Sequence, residues 1–176
     1  QNNTLNNEFG ISLFKKINNV TKTDILISPL SINYALMMVN LGATGSTSQN
    51  ILSVLNLSNI NEEYYSDLYN YIQSSKENNI EFSNSIWIQN DRCYLPNLEY
   101  ISLIDSIFNG QVSYVNFYED RFKIIDKINT WVDSSTHGMI KNIVSDKHIK
   151  QNTKQALLNT IYFKSSWQTP FDSKKT

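Results

Sequence analysis

The chain has few of the residues that form cross-links, linkers or membrane spans. Its 176 residues include one cysteine, Cys93, which excludes an internal disulfide and a cysteine-based zinc site. It has only five glycines and three prolines, and no Pro/Gly-rich linker divides it into separate units. No apolar run approaches the roughly 18 residues that cross a membrane. This length suits one domain or a part of a larger one, with no expected membrane segment.

Charge is scarce and nearly balanced. Fifteen basic and sixteen acidic residues leave a formal net charge of -1. Nucleic acids and anionic membrane surfaces are bound by clustered Lys and Arg, so neither is an expected partner. Hydrophobic residues make up 40% of the chain, which is enough apolar surface to build a core and makes long disorder unexpected.

Motifs of known catalytic chemistry are missing from the sequence. It contains no phosphate-binding glycine loop, no G-x-G-x-x-G, no G-x-S-x-G and no H-E-x-x-H. His137 and His148 lie in polar, loop-like segments, and we interpret both as surface residues. Cys93 has no histidine near it in the sequence, and we interpret it as an inert thiol. We therefore expect no catalytic residue, no metal site and no cofactor, and we expect the protein not to be an enzyme.

The spacing of apolar residues predicts helices first and strands interleaved later. Helices are predicted over 5–20, 29–41, 47–55, 61–72, 98–108 and 122–138. Strands are predicted over 24–27, 80–88, 112–117 and 156–163. Gly110 is the predicted stop of the helix over 98–108, and Thr47 is the predicted cap of the third helix. This order of elements indicates an α+β chain with one dominant sheet.

Two polar residues interrupt apolar elements. Asn159 lies inside the apolar run Ala156–Phe163, and Ser31 lies near the start of an apolar helix that Ser28 caps. A buried amide needs hydrogen-bond partners, so we expect Asn159 to have partners inside the protein. One interpretation is that these polar groups are structural residues whose hydrogen bonds are satisfied. The other is that they form a cluster that joins a helix to the sheet, at a place where alternative packing arrangements have similar stability.

Four motifs resemble those of the serpins. Segment 27–47 is similar to the family's second-helix signature, and segment 84–88 is similar to its "ANSLFV" strand. Segment 128–144 is similar to the "IN-WV…T-GKI-NLV" stretch, and segment 156–171 is similar to the "ALVNAIYFKG-W--PF" strand. They occur in the family's order and span nearly the whole chain. Met139 and Ser165 depart from the pattern, because serpins usually have Lys and Gly at these positions.

The resemblance implies the serpin fold, in which helices pack on a large central mixed β-sheet. Residues 1–176 are then the N-terminal portion of a single serpin domain. A serpin is much longer than this chain, so we expect the reactive-centre loop, its hinge and the remaining strands to lie in a complementary C-terminal segment. The residues that select a target protease are therefore expected to be absent from this chain.

The resemblance also implies irreversible inhibition of a serine or cysteine protease. The protease cleaves the exposed loop, which inserts into the main sheet beside strand 156–164 and traps the enzyme. Ser28, Ser31 and Asn159 match the shutter, the polar cluster beneath the opening sheet, and Trp167 matches the breach, where insertion begins. The helix that contains Trp131 is expected to lie across the sheet and to yield during insertion.

Two alternatives to inhibition stay open. One is a non-inhibitory serpin that acts as a carrier, a chaperone or a structural protein, and the other is a hydrolase whose catalytic residues lie outside this sequence. Serpins bind heparin through basic residues on and around their fourth helix, but 62–75 contains no Lys or Arg, so we expect no heparin site on that helix. The resemblance leaves the cellular location open and favours the extracellular one.

Overall fold

A computed structural model describes residues 2–57, 64, 67, 70, 71, 74, 79–93 and 95–169. The helices with described ends are α1 (Asn2–Val20), α2 (Pro29–Leu41), α3 (Gly45–Val54), α4 (Leu98–Phe108) and α5 (Phe117–Ser135). The strands are β1 (Ile80–Gln89), β2 (Gly110–Val115) and β3 (Gln155–Phe163). In the predicted helix over 61–72 the described positions are helical, and the others lie outside the described residues.

The three strands form one mixed sheet in the order β2-β1-β3. β1 is central, parallel to β2 and antiparallel to β3. In this register Asn84 of β1 lies opposite Gly110 on one side and opposite Asn159 on the other. The α+β class with helices on a mixed sheet is therefore confirmed.

Each face of the sheet packs against helices through its own apolar cluster. Because side chains alternate along a strand, Phe82 and Ile86 of β1 face α1, α2 and α4, while Trp87 faces α5. The first cluster is centred on Tyr34, whose ring lies 5.1 Å from that of Phe82, and burial raises the pKa of Tyr34 well above its ordinary value. These two clusters fix α2 beneath the sheet and α5 above it.

The prediction of a strand over 24–27 is wrong. The segment is irregular, and Leu26 is 99% exposed. A strand needs a neighbour for its backbone groups, and none of the described strands pairs with this segment. It is instead the exposed connection between α1 and the Ser28 cap of α2.

Three predicted boundaries are also corrected. Asn109, not Gly110, ends α4 because it adopts the left-handed conformation (φ 47°) and donates its backbone N–H to Ile104, and Gly110 is the first residue of β2. Phe117 begins α5 instead of ending β2, because Asn116 caps that helix through Glu119. α3 begins at Gly45, ahead of Thr47.

Candidate functional site

A series of hydrogen bonds runs along one face of the sheet, from α2 through β3 and β1 to the end of α4. Ser31 of α2 donates its hydroxyl to Oδ1 of Asn159 on β3. Asn159 donates through Nδ2 to Oδ1 of Asn84 on β1 at 2.7 Å, and Asn84 donates through Nδ2 to the backbone oxygen of Phe108 at 2.8 Å. We call Ser31, Asn84 and Asn159 the polar cluster. It links four elements at the level where β1 and β3 pair.

Ser28 contacts this cluster through the backbone of Ser31. Its hydroxyl accepts a hydrogen bond from the N–H of Ser31 at 3.3 Å, which is the ordinary role of a helix N-cap. Pro29 at the first helical position lies against Gly10 of α1, where an added β-carbon would be 3.0 Å from the proline ring. Ser28 and Pro29 therefore fix the start of α2, and this positions the Ser31 hydroxyl under the sheet.

Trp167 lies in a different place from the other predicted site residues. It follows the C-terminal end of β3 in an irregular segment and is 72% exposed. The structure therefore brings together Ser28, Ser31 and Asn159, and places Trp167 beyond the end of the strand that carries Asn159.

Asn84 is the member of the cluster that the sequence analysis missed as a site residue. It is 2% exposed and occupies an inward position in a strand whose neighbours at that spacing, Phe82 and Ile86, are apolar. The rule applied to Asn159, a polar residue at an apolar position, also applies here and could have identified it. Its pairing with Asn159 depends on strand register, which one sequence does not give.

The cluster contains only amides, a hydroxyl and a backbone carbonyl, so it has no group that ionises near neutral pH. These groups can donate and accept hydrogen bonds, and none of them is a general acid or base at that pH. Within the described ranges no group of three His, Cys, Asp or Glu residues could hold a metal ion. In the same part of the chain, no helix has the length and apolar character needed to span a bilayer.

On the opposite face of the sheet, β1 and β3 form side-chain contacts with the C-terminal end of α5 and the residues just after it. Thr160 of β3 is 5% exposed and donates its hydroxyl to that of Ser135 at 3.1 Å. Just past the helix, His137 Nε2 lies 3.0 Å from Oε2 of Glu81 on β1. α5 thus lies across β1 and β3, on the face opposite to the polar cluster.

The interpretation of His137 and His148 as surface residues is confirmed in part, and that of Cys93 as an inert thiol stays a prediction. Cys93 is exposed, and His148 accepts a hydrogen bond from the N–H of Ser145 within an exposed turn. The His137 side chain is half-exposed at 51%, but it has specific partners on the sheet, which its polar sequence context did not indicate.

The comparisons with known proteins identify the family. Residues 4–176 match the family model described as Serpin (serine protease inhibitor). The chain belongs to the serpin family. This serpin chain is similar to Serpin B3 of Homo sapiens, at 30% identity over 190 residues that cover 97% of the chain and 48% of that protein. Neuroserpin of Homo sapiens is 32% identical over 158 residues, which cover 87% of the chain and 38% of the relative.

A solved serpin structure confirms the fold. Native protease nexin-1 with heparin superposes with a TM-score of 0.82 at 27% identity, covering 97% of this chain and 46% of that one. The chain therefore spans about half or less of the length of the serpins it matches, and it corresponds to their N-terminal portion. No catalytic activity is indicated by this family membership.

Proposed function

We propose that the protein carrying this chain is an inhibitory serpin that traps a serine or cysteine protease irreversibly. The observation that carries the proposal is the position of Asn159, on an outer strand of the described sheet and bonded both to its neighbour strand and to the helix below. In this mechanism a loop outside this chain is cleaved and inserts beside β3, and the protease stays covalently attached to it.

The polar cluster suits a strand that changes one neighbour and keeps the other. β3 pairs with β1 along its whole length, from the Ile80–Phe163 pair to the Ile88–Gln155 pair. An arriving strand would pair with the N–H and C=O groups on the opposite edge of β3, which are costly to bury without partners. The bonds from Asn159 to Ser31 and Asn84 keep β3 in register during that exchange. This is the shutter role that we propose for Ser28, Ser31 and Asn159.

On the other face of the sheet, the packing of α5 against the strands has to change during insertion. α5 is held over β3 by the Thr160–Ser135 bond and over β1 by apolar packing around Trp87. A new strand beside β3 would disturb this contact, so we propose that the C-terminal end of α5 moves when the loop enters. Trp167, at the far end of β3, is proposed to mark the breach where entry begins.

Trapping is tested by incubating the intact protein with trypsin-like, chymotrypsin-like and papain-like proteases. We expect at least one of them to form a complex that resists boiling in SDS, because the acyl bond to the inserted loop is not hydrolysed. The matched control is the same protease with its nucleophile replaced, which should give no such complex. Cleavage of the loop by every protease without any stable complex would contradict trapping and would favour the carrier, chaperone or structural alternative.

We also propose that residues 1–176 form part of a single domain that a C-terminal segment completes. The apolar residue Phe163 at the end of β3 is 63% exposed, and an outer strand with free backbone groups promotes aggregation. Residues 1–176 expressed alone are expected to aggregate, and co-expression with the C-terminal segment is expected to keep them in solution. A soluble monomer of 1–176 that unfolds cooperatively would contradict this.

The proposed partners are therefore a target protease and that complementary segment. Heparin is not proposed as a ligand of 62–75, most of which lies outside the described residues. The absence of Lys and Arg from that segment still predicts that it gives no heparin activation, although a similar serpin has been solved with heparin.

A further inference from the structure

The chain that leads from α5 to β3 first runs back along α5 and is hydrogen-bonded to it. The Thr136 hydroxyl accepts the N–H of Ile140 at 3.0 Å. Two turns earlier in the helix, Oδ1 of Asn129 accepts the N–H groups of Ile143 and Val144, each at 3.0 Å. Nδ2 of Asn129 also donates to the Val144 oxygen at 3.0 Å. One side chain of α5 therefore makes three hydrogen bonds to the backbone of this segment.

The spacing of these contacts shows that the segment is extended. Asn129 and Thr136 are seven residues apart on α5, a span of about 10 Å, and roughly three extended residues cover the same distance. Residues 140–144, which we call the fastened segment, therefore run alongside α5 and antiparallel to it.

The fastened segment lies on the β3 side of α5. Ile128 is buried in the apolar cluster that faces the sheet, and Lys127 and Ser134 line the groove between α5 and β2. With 3.6 residues per turn, Asn129 and Thr136 point to the flank opposite to Lys127 and Ser134. The fastened segment is therefore on the flank of α5 that faces away from β2 and towards the outer edge of β3.

Both ends of this α5 unit are attached near the same end of the sheet. The side chain of Gln89, at the end of β1, accepts the N–H of the fully buried Phe117 at 2.8 Å, where α5 begins. The backbone N–H of Gln89 donates to the Lys154 oxygen at 2.8 Å, just before β3. Ile149 is buried in the same apolar cluster as Phe117. The chain between Phe117 and Ile149 therefore leaves and returns at one end of the sheet.

Irregular backbone lies next to each of these attachments. Asp120 departs from helical geometry (φ −112°, ψ 21°), which separates the first turn of α5 from its main body. On the other side, the N–H of His148 donates to the Ser145 oxygen at 3.0 Å, which forms a turn between the fastened segment and Ile149. Hinges are usually a few loop or element-terminal residues of this kind.

We propose that residues 121–144 form one flap, hinged at Asp120 and at the turn 145–148, and that Asn129 is the positioning residue that holds its two layers together. The consequence for trapping rests on the proposed inhibitory function. When the flap lifts at its Ser135 end, the fastened segment leaves the sheet together with α5. This movement clears the outer edge of β3 for the entering strand in a single step.

Without the Asn129 amide, the fastened segment can stay behind on the sheet. Val144 packs against the apolar cluster between α5 and the sheet, and Ile149 is anchored in that cluster. In N129A, α5 can therefore lift while the fastened segment stays on the side where the strand enters. Insertion is then slower, and water hydrolyses more of the acyl bond between loop and protease, which releases free protease and cleaved inhibitor.

Native-state hydrogen exchange of the intact protein tests whether the flap is one body. In the wild type we expect the Ile143 and Val144 amides to exchange through the same opening as amides in the middle of α5, with the same dependence on denaturant. In N129A both amides lose their acceptor and should exchange about tenfold faster, while the α5 amides keep the wild-type rate. Unchanged exchange at Ile143 and Val144 in N129A, or independent opening of these amides in the wild type, overturns the flap.

The consequence for trapping is tested by the ratio of SDS-resistant complex to cleaved, released inhibitor. We expect this ratio to be about two- to fivefold lower in N129A. N129D keeps the acceptor for both N–H groups, so it should restore part of the exchange protection and part of the ratio. T130A is the matched control, because Thr130 is exposed on α5 and its hydroxyl bonds to a carbonyl of the same helix. It gives a similar gain in helix propensity and should match the wild type.

The outcomes separate the flap from the proposed function. The expected exchange pattern with an unchanged or higher ratio in N129A overturns the role of Asn129 in insertion. The expected exchange pattern in a protein that forms no SDS-resistant complex supports the flap and contradicts the inhibitory function. Normal complex formation together with exchange that N129A does not alter supports the inhibitory function and overturns the flap.

Discussion

Replacing Asn159 with alanine is expected to lower the free energy of unfolding of the intact native protein by about 2–4 kcal/mol. The substitution removes the acceptor of the Ser31 hydroxyl and the donor to Oδ1 of Asn84. Asn84 is 2% exposed, so water does not readily replace the lost donor. A buried polar group without its partner costs about 1–3 kcal/mol. Chemical denaturation followed by tryptophan fluorescence measures the loss.

Three further variants, N142A, N84A and the N84A/N159A double variant, show whether the loss comes from the polar cluster. Asn142 is exposed in an irregular segment, and N142A is expected to stay within about 0.5 kcal/mol of the wild type. The N84A/N159A double variant removes both amides of the central bond and should cost less than the sum of the single losses. An N159A loss below about 1 kcal/mol, or strictly additive losses, would show that the cluster does not couple β1 to β3.

Two members of the polar cluster, Ser31 and Asn159, could be predicted from their neighbours in the sequence, and Asn84 was missed. Ser28, which contacts the cluster through the backbone of Ser31, was identified as the N-cap. Ser31 and Asn159 were identified because each is polar within an apolar element. Asn84 shares that signature, but it lies 75 positions before Asn159 in the chain, and their bond exists only because β1 and β3 pair in this register. Register over such a separation is set by tertiary packing, which hydrophobic alternation in one strand does not encode.

The same distinction explains the errors in the predicted fold. Long periodic segments were predicted best, β3 to within one residue and α5 to within five, because their burial repeats over several turns or pleats. The short apolar run at 24–27 has no such repeat, and its exposure shows that composition alone does not make a strand. The contacts of His137 depend on where the end of α5 lies over the sheet, so its polar sequence context predicted only an exposed loop residue.

Replacing Gly110 with alanine is expected to cost about 3 kcal/mol of stability for a steric reason. Gly110 is buried at the start of β2, and a β-carbon there would lie 2.7 Å from Cγ2 of Ile104 and 3.2 Å from the Ile104 backbone oxygen. Ile104 is itself fully buried in the α4 core, so it has little room to move. Either α4 or β2 has to shift, and β2 is paired with β1 at Asn84.

Two controls identify the clash as the cause of the Gly110 effect. Gly45 has a positive φ of 58°, and no atom lies within 4 Å of an added β-carbon. G45A should therefore lower stability by only about 1 kcal/mol, because alanine disfavours the left-handed backbone conformation that glycine adopts there. Leucine lacks the β-branched methyl group of isoleucine, so G110A should cost less in an I104L background than in the wild type. Thermal and chemical denaturation of the four Gly110/Ile104 combinations measure this coupling. A G110A loss that I104L does not reduce would show that the Ile104 methyl group is not what requires glycine at position 110, and would leave the contact with the Ile104 backbone oxygen as the constraint.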